Sequence, residues 1–181
     1  MMSLRIVNIV STCRLDKQLD LSAINKLHFN TIYKPHKFTG LIKKFKTSTV
    51  LFFPNGKLTI TGSKTEKEAR KISRKAAKMV KALKVMDFKI QNIVGTVNLK
   101  EFIVEKEGTV IDLKKLYEIT TNSIYEPERY SALILPINEM KVMIFHNGKI
   151  NFTAAKTIDQ INDTYAEILM LLEYNNSIQL K

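Results

Sequence analysis

The chain has 181 residues, 45 % of them hydrophobic, and carries a formal net charge of +12. That length and apolar content support one large domain or two small fused ones and exclude global disorder. A single cysteine, Cys13, excludes an internal disulfide and a cysteine-based zinc site, and its expected role is core packing.

Leu4 to Cys13 alternates, which predicts a strand with Asn8, Val10 and Thr12 on one face and Ile9, Ser11 and Cys13 on the other. Leu21 to Asn30 has helical spacing, with Asp20 or Ser22 as the N-cap. Pro35 marks a turn, and residues 39–46 and 49–53 read as strands. Asn55-Gly56 predicts a type I′ hairpin into a strand over 57–62. A long helix follows from Thr65 to Lys84, with Ala69, Ile72, Ala76, Met79, Val80 and Leu83 on one face; with Thr65 as N-cap, Glu68 takes the capping-box position. Val85 to Asn98 is the next strand. The order then recurs: a helix over 113–122, a turn at Pro127, strands near Leu133, over 142–145 and over 149–153, and a helix over 157–174. No Gly/Ser/Pro-rich linker interrupts the chain, so two repeats, 4–86 and 87–181, are expected to share one antiparallel sheet with helices on one face. Arg5 and Asn8 interrupt any apolar leader, and Ile168 to Leu172 is too short to span a bilayer; a soluble intracellular protein, with no membrane partner, is expected.

The repetition is visible in the residues. Ile6-Val7-Asn8-Ile9-Val10-Ser11-Thr12 returns 84 residues later as Ile90-Gln91-Asn92-Ile93-Val94-Gly95-Thr96. Tyr33-Lys34-Pro35-His36-Lys37-Phe38 returns 92 residues later as Tyr125-Glu126-Pro127-Glu128-Arg129-Tyr130, and Phe53-Pro54-Asn55-Gly56-Lys57 returns at the same offset as Phe145-His146-Asn147-Gly148-Lys149. Two similar units imply a pseudo-dyad and a pseudo-symmetric ligand, of which duplex DNA is the obvious example. Charge is uneven: residues 1–86 carry +15 and residues 87–181 carry −3. The first half suits a polyanion. Strand alternation places Asn8, Val10, Leu51, Phe53, Thr59 and Thr61 on the sheet face away from the helices. The second copy places Asn92, Val94, Thr96, Met143, Phe145, Asn151 and Thr153 there. Hydroxyls, amides and small aliphatics in this mixture read as a binding face.

These motifs, with Asp87-Phe88-Lys89-Ile90-Gln91-Asn92-Ile93-Val94-Gly95, resemble the TATA-box-binding protein core from about Arg5 to Glu173. The resemblance implies a saddle: an α+β fold with about ten strands in a curved antiparallel sheet, four helices on its convex side, and a concave face lying on a widened minor groove. It implies a groove floor of Asn8, Val10, Leu51, Thr59, Thr61, Asn92, Val94, Met143, Asn151 and Thr153. Phe38 with Phe53 and Tyr130 with Phe145 take the positions of wedges that enter base steps. Lys37, Lys44, Lys57, Lys64, Lys149 and Lys156 match positions that approach phosphates. Glu126 and Glu128 fall where the family meets transcription factor IIB. Arg70, Arg74 and Lys78, on the basic long helix, suit an acidic partner such as transcription factor IIA. The implied function is promoter binding and bending for an RNA polymerase, in the nucleus or at a viral transcription site, with no cofactor, no metal and no catalysed reaction. The Lys/Ile/Asn-rich composition suits a divergent eukaryote or a large DNA virus.

The chain also departs from the family. Tyr130 stands where Phe is usual, Arg129 replaces Leu, Ser131 replaces Pro, and Pro136 replaces a phosphate-contacting Arg. Thr59 and Asn151 stand where Val is usual, and Ala154 replaces Gly. The second repeat has extra residues near Glu101 to Ile111. These departures motivate an alternative, a related adaptor that acts mainly through protein partners. An enzymatic reading has little to stand on. Gly56-Lys57 and Gly62-Ser63-Lys64 lack phosphate-loop spacing, and His28, His36 and His146 lack metal-ligand spacing.

Overall fold

The computed structural model describes residues 4–99 and 111–174. The described elements are β1 (Arg5–Leu15), α1 (Leu21–Leu27), β2 (Thr31–Ile32), β3 (Leu41–Lys44), β4 (Thr49–Phe52), β5 (Lys57–Ser63), α2 (Glu66–Met79), β6 (Val85–Asn98), α3 (Leu113–Ile119), β7 (Ala132–Ile137), β8 (Met140–Phe145), β9 (Lys149–Ala155) and α4 (Ile158–Tyr174). The strands of β1 to β5 pair antiparallel with one another, as do those of β6 to β9. Packing divides the chain into two compact units, residues 7–92 and residues 93–181 with 1–6. The strand order is β2-β3-β4-β5-β1 in the first and β6-β9-β8-β7 in the second. Nine strands appear rather than ten. Ile32 pairs with Ile42 in the first unit, and the equivalent Ile124–Ile134 contact is a single bridge. The insertion expected near Glu101 lies outside the described residues.

Each unit buries one sheet face under its helices. In the first, Cys13, Leu15, Val50, Phe52, Leu58 and Ile60 pack with Leu21 and Ile24 of α1 and Ile72, Ala76 and Ala77 of α2. Burial pushes the Cys13 thiol up to about 11, which leaves it protonated and inert. In the second, Leu133, Val142, Ile144, Ile150 and Phe152 are buried, as are Leu113, Leu116, Ile161, Tyr165 and Ile168 of its helices. Phe152 and Tyr165 meet edge to face at 6.4 Å.

The helix starts follow their caps. Asp20 accepts from the Ala23 N–H at 2.9 Å, so it, not Ser22, caps α1. Thr65 accepts from the Glu68 N–H at 3.1 Å. The Glu68 carboxylate does not close the box on Thr65; it accepts from the Lys64 N–H at 2.9 Å and the Thr47 hydroxyl at 2.6 Å. These bonds, the Lys64 one foremost, hold the Glu68 carboxyl below its ordinary 4.5. Their stabilisation is present above pH 4.5 and is lost as pH falls through the lowered value. Glu68→Gln is therefore expected to reduce the gap between melting temperatures at pH 7 and about pH 3.

Three helices end earlier than their hydrophobic spacing predicts. α1 and α3 end where His28 and Thr120 turn to extended backbone, ψ 129° in both, and Asn30 and Asn122 follow in left-handed backbone, φ 57° and 61°. Past α2, Lys81 has φ 53°, and the N–H groups of Lys81 and Ala82 return to the carbonyls of Lys78 and Ala77 in a Schellman arrangement. Leu83 consequently leaves the apolar stripe and is fully exposed.

The hairpins also differ from expectation. At Phe53–Lys57 only Gly56 has positive φ, 79°, and its N–H bonds the Phe53 carbonyl, giving a three-residue loop with a glycine bulge rather than a type I′ turn. Asn55 Oδ1 accepts from the Lys57 N–H at 3.0 Å, and Asn147 does the same for Lys149 at 3.1 Å. The type I′ geometry appears between β7 and β8, at Asn138 and Glu139, φ 49° and 60°.

A second bulge recurs in both units. The β1–β5 register slips between Ile9 and Ser11, opposite Gly62 at φ 96°. The β6–β9 register slips between Ile93 and Gly95, opposite Ala154 at φ 72°. A side chain at Gly62 would strike the Thr47 carbonyl oxygen at 2.9 Å. Ala154 is exposed, and its strain is backbone strain that glycine does not feel. Ala154→Gly is expected to stabilise the fold by about 1 kcal/mol, raising the melting temperature by about 2–4 °C in calorimetry.

Candidate nucleic-acid interface

The face opposite the helices is built from rows of directly paired residues. In the first unit one row runs Ile32, Ile42, Leu51, Thr59, Thr12. In the second it runs Ile124, Ile134, Met143, Asn151, Thr96. Directly paired residues project to the same side. Leu51, Thr59, Met143 and Asn151 are half-buried, as are Val10 on β1 and Val94 on β6. Ile42 and Ile134 join the face although sequence periodicity did not single them out. Thr96 departs the other way: it is only 8 % exposed, in a recess with Arg5, Asn98 and Lys149.

A second row carries the polar groups. Lys44, Thr49 and Thr61 are paired in line, and Thr61 contacts Asn8. The Gly62 N–H, turned inward by the bulge, donates to Asn8 Oδ1 at 2.7 Å. A backbone N–H can only donate, so the carbonyl end of this amide is fixed toward Gly62. The Asn8 Nδ2 donates to the Thr61 hydroxyl at 3.3 Å, which commits one of its two hydrogens. In the second unit the equivalent row is Pro136, Lys141, Thr153. The Thr153 hydroxyl donates to the Lys141 carbonyl at 3.0 Å, and Asn92 is half-buried on β6. Pro136 removes a cation that Lys44 supplies in the first unit. Lys141, one strand inward on the same row, restores it. The paired register reveals this substitution, whereas position-by-position comparison does not.

The loops supply two matching aromatic pairs. Phe38 and Phe53 meet edge to face with centroids 6.0 Å apart at 73°. Tyr130 and Phe145 do so at 6.0 Å and 71°. The local reason is shared: the N–H groups of Lys37 and Phe38 bond the Lys34 carbonyl, and those of Arg129 and Tyr130 bond the Glu126 carbonyl. Phe38 and Tyr130 are 37 % and 42 % exposed, enough for each ring edge to reach a ligand. The Tyr130 hydroxyl contacts Met143 Sδ at 3.5 Å, a weak bond that keeps it on the face.

Lys37, Lys57, Lys64, Lys149 and Lys156 are exposed at loop and strand ends. Arg14 pairs with Lys57 and adds a cation on that side. Elsewhere, Arg70 is engaged by Glu66 at 2.6 Å and by the Phe88 ring at 4.1 Å, whereas Arg74 and Lys78 are exposed on α2. Glu126 pairs with Arg129 at 3.0 Å, and Glu128 is exposed. No group of three potential metal ligands occurs among the described residues, and no helix there is long and apolar enough to cross a membrane. The arrangement presents an apolar floor with a fixed amide, half-exposed aromatic edges and a cationic rim.

A family model described as transcription factor TFIID, or TATA-binding protein, matches residues 3–83 and 87–174. A TATA-box-binding protein of Schizosaccharomyces pombe is 38 % identical over 173 residues, covering 91 % of this chain and 72 % of its own length. TATA-box-binding protein 1 of Arabidopsis thaliana is 37 % identical over 180 residues, covering 95 % and 86 %. The solved structure of Methanococcus jannaschii TBP superposes with a TM-score of 0.84 at 26 % identity, covering 94 % of this chain and 98 % of that one.

Proposed function

Since the chain belongs to the TATA-binding protein family, we propose that it is a general transcription initiation factor that binds and bends A·T-rich promoter DNA through the minor groove. The observation that carries this reading is the duplicated aromatic pair, 6.0 Å between rings in each unit, beside a floor of half-buried aliphatics and an oriented amide. At A·T pairs the groove floor offers only acceptors and apolar surface. Val10, Val94, Leu51 and Met143 pack against that surface, and the uncommitted Asn8 amide hydrogen donates to its acceptors. Each aromatic pair enters a base step; unstacking costs a few kcal/mol, and the bend that results lets the duplex contact more protein. Lys37, Lys44, Lys57, Lys64, Lys149 and Lys156 neutralise phosphates along the rim. No reaction is catalysed. The exposed Glu126–Glu128 turn and the Arg74 and Lys78 face of α2 are where factors of the IIB and IIA kind dock to bring in an RNA polymerase, in the nucleus.

Binding to A·T-rich and G·C-rich duplexes, with bending read by energy transfer between dyes at the duplex ends, tests the proposal. A bent complex confined to the A·T-rich duplex is expected. An equal, unbent association with both duplexes favours the adaptor reading, which Tyr130, Asn151 and Pro136 motivate.

A further inference from the structure

The two units differ most in hydrogen-bonding chemistry at one place on the open face. In the first, the row position beside Leu51 and Thr12 is Thr59. In the second, the position beside Met143 and Thr96 is Asn151. Asn8 shows what the fold does with an amide it means to hold: both ends are engaged, by Gly62 and Thr61. The Asn151 carboxamide has no hydrogen-bond partner among the described residues, although the residue is half-buried. A polar group in that setting is costly when covered unless the covering molecule satisfies it. The same stretch carries the Tyr130 hydroxyl on Met143, where the first unit has the bare ring of Phe38.

The minor groove contains a single kind of base-edge donor, the N2 amino group of guanine. An aliphatic side chain laid against it strands that donor, which is how an apolar floor rejects G·C pairs. A carboxamide reverses the outcome. Its Oδ1 accepts from N2–H, and its Nδ2 still donates to a neighbouring N3 or O2. The Thr59 hydroxyl is shorter by one bond and has no second polar atom to serve both edges.

We propose that Asn151 is a base-reading residue that admits a G·C pair at one step of the half-site met by the second repeat. This rests on the minor-groove reading above. The preferred site is then unequal: A·T pairs under the first repeat, and one permitted G·C under the second.

Inosine supplies the test, because an inosine·C pair lacks the N2 amino group and presents an A·T-like minor groove. Single A·T pairs of an A·T-rich duplex are replaced, step by step, with G·C or inosine·C. Affinities are measured for the unaltered protein, Asn151→Val and Asn151→Thr. Both variants suit a half-buried strand position and should keep the fold. At one step the unaltered protein is expected to bind G·C and inosine·C equally within about threefold, while Asn151→Val binds G·C about tenfold more weakly than inosine·C. Asn151→Thr is expected to fall between, and the readout is the G·C to inosine·C ratio within each protein, whatever the shift in its A·T affinity. An unaltered protein that rejects G·C relative to inosine·C at every step overturns the proposal, as does an Asn151→Val ratio equal to that of the unaltered chain. Failure to bind any A·T-rich duplex defeats the minor-groove reading itself, a different result from failure at Asn151 alone.

Discussion

Phe38→Ala and Phe53→Ala are each expected to abolish DNA bending while leaving the melting temperature nearly unchanged. The rings support one another edge to face at 6.0 Å, and neither lies in the buried core, so deleting one removes a wedge without opening a core cavity. Without a large ring, nothing replaces the stacking lost at the opened step, and the few kcal/mol of unstacking go uncompensated. Tyr130→Phe is expected to move in the other direction or not at all. Its hydroxyl has only the weak 3.5 Å contact with Met143 Sδ to lose, and an inserted phenol must otherwise leave that hydroxyl near water. Energy transfer across a labelled duplex reads all three variants. Undiminished bending in both Phe variants would mean that this pair is not the wedge.

Salt is expected to act almost as strongly. Each neutralised phosphate contributes about −0.9 to the slope of log affinity against log salt, so the six rim lysines together with Lys141 predict a slope near −6 and a loss of about 10³–10⁴ in affinity between 50 and 200 mM salt. The loss should be shared unequally. Replacing Lys37, Lys44, Lys57 and Lys64 with Gln is expected to reduce the slope by about 4 units, and replacing Lys149 and Lys156 by about 2. Lys141→Gln in the latter background is expected to remove about one more, because Lys141 stands on the row that Lys44 serves in the other unit. A flat dependence in the unaltered protein would remove phosphate contact as the source of its affinity.

Much of the fold was legible because its signals are local. Alternation from Leu4 to Cys13 identified the buried and open faces of β1, and Thr65 with Glu68 marked the start of α2. Helix ends were less legible because His28 and Thr120 turn extended and Lys81 turns left-handed, conformations that their residue types only weakly announce. The hairpins misled for a related reason. Asn55-Gly56 suits a type I′ turn, but Pro54 and the 53–57 pairing draw it into a bulged loop, while Asn138-Glu139 takes the type I′ geometry with no glycine at all. The site divides in the same way. Individual open-face residues follow from strand parity. The rows do not, because Ile42, Ile134 and Lys141 join them through register between separate strands, and Thr96 shares its recess with Arg5 far away in sequence.

The Gly62 clamp on Asn8 bears on what binding costs. A free amide loses its choice of orientation on binding, an ordering cost that a preset amide does not pay. Here the bulge has chosen already: the Gly62 N–H occupies the carbonyl end at 2.7 Å, and the amide nitrogen donates to Thr61. A mismatched groove therefore meets a rigid, incompatible surface from the first encounter. On the minor-groove reading, the bulge glycine thus contributes to recognition at one remove, by setting the Asn8 amide before a duplex arrives.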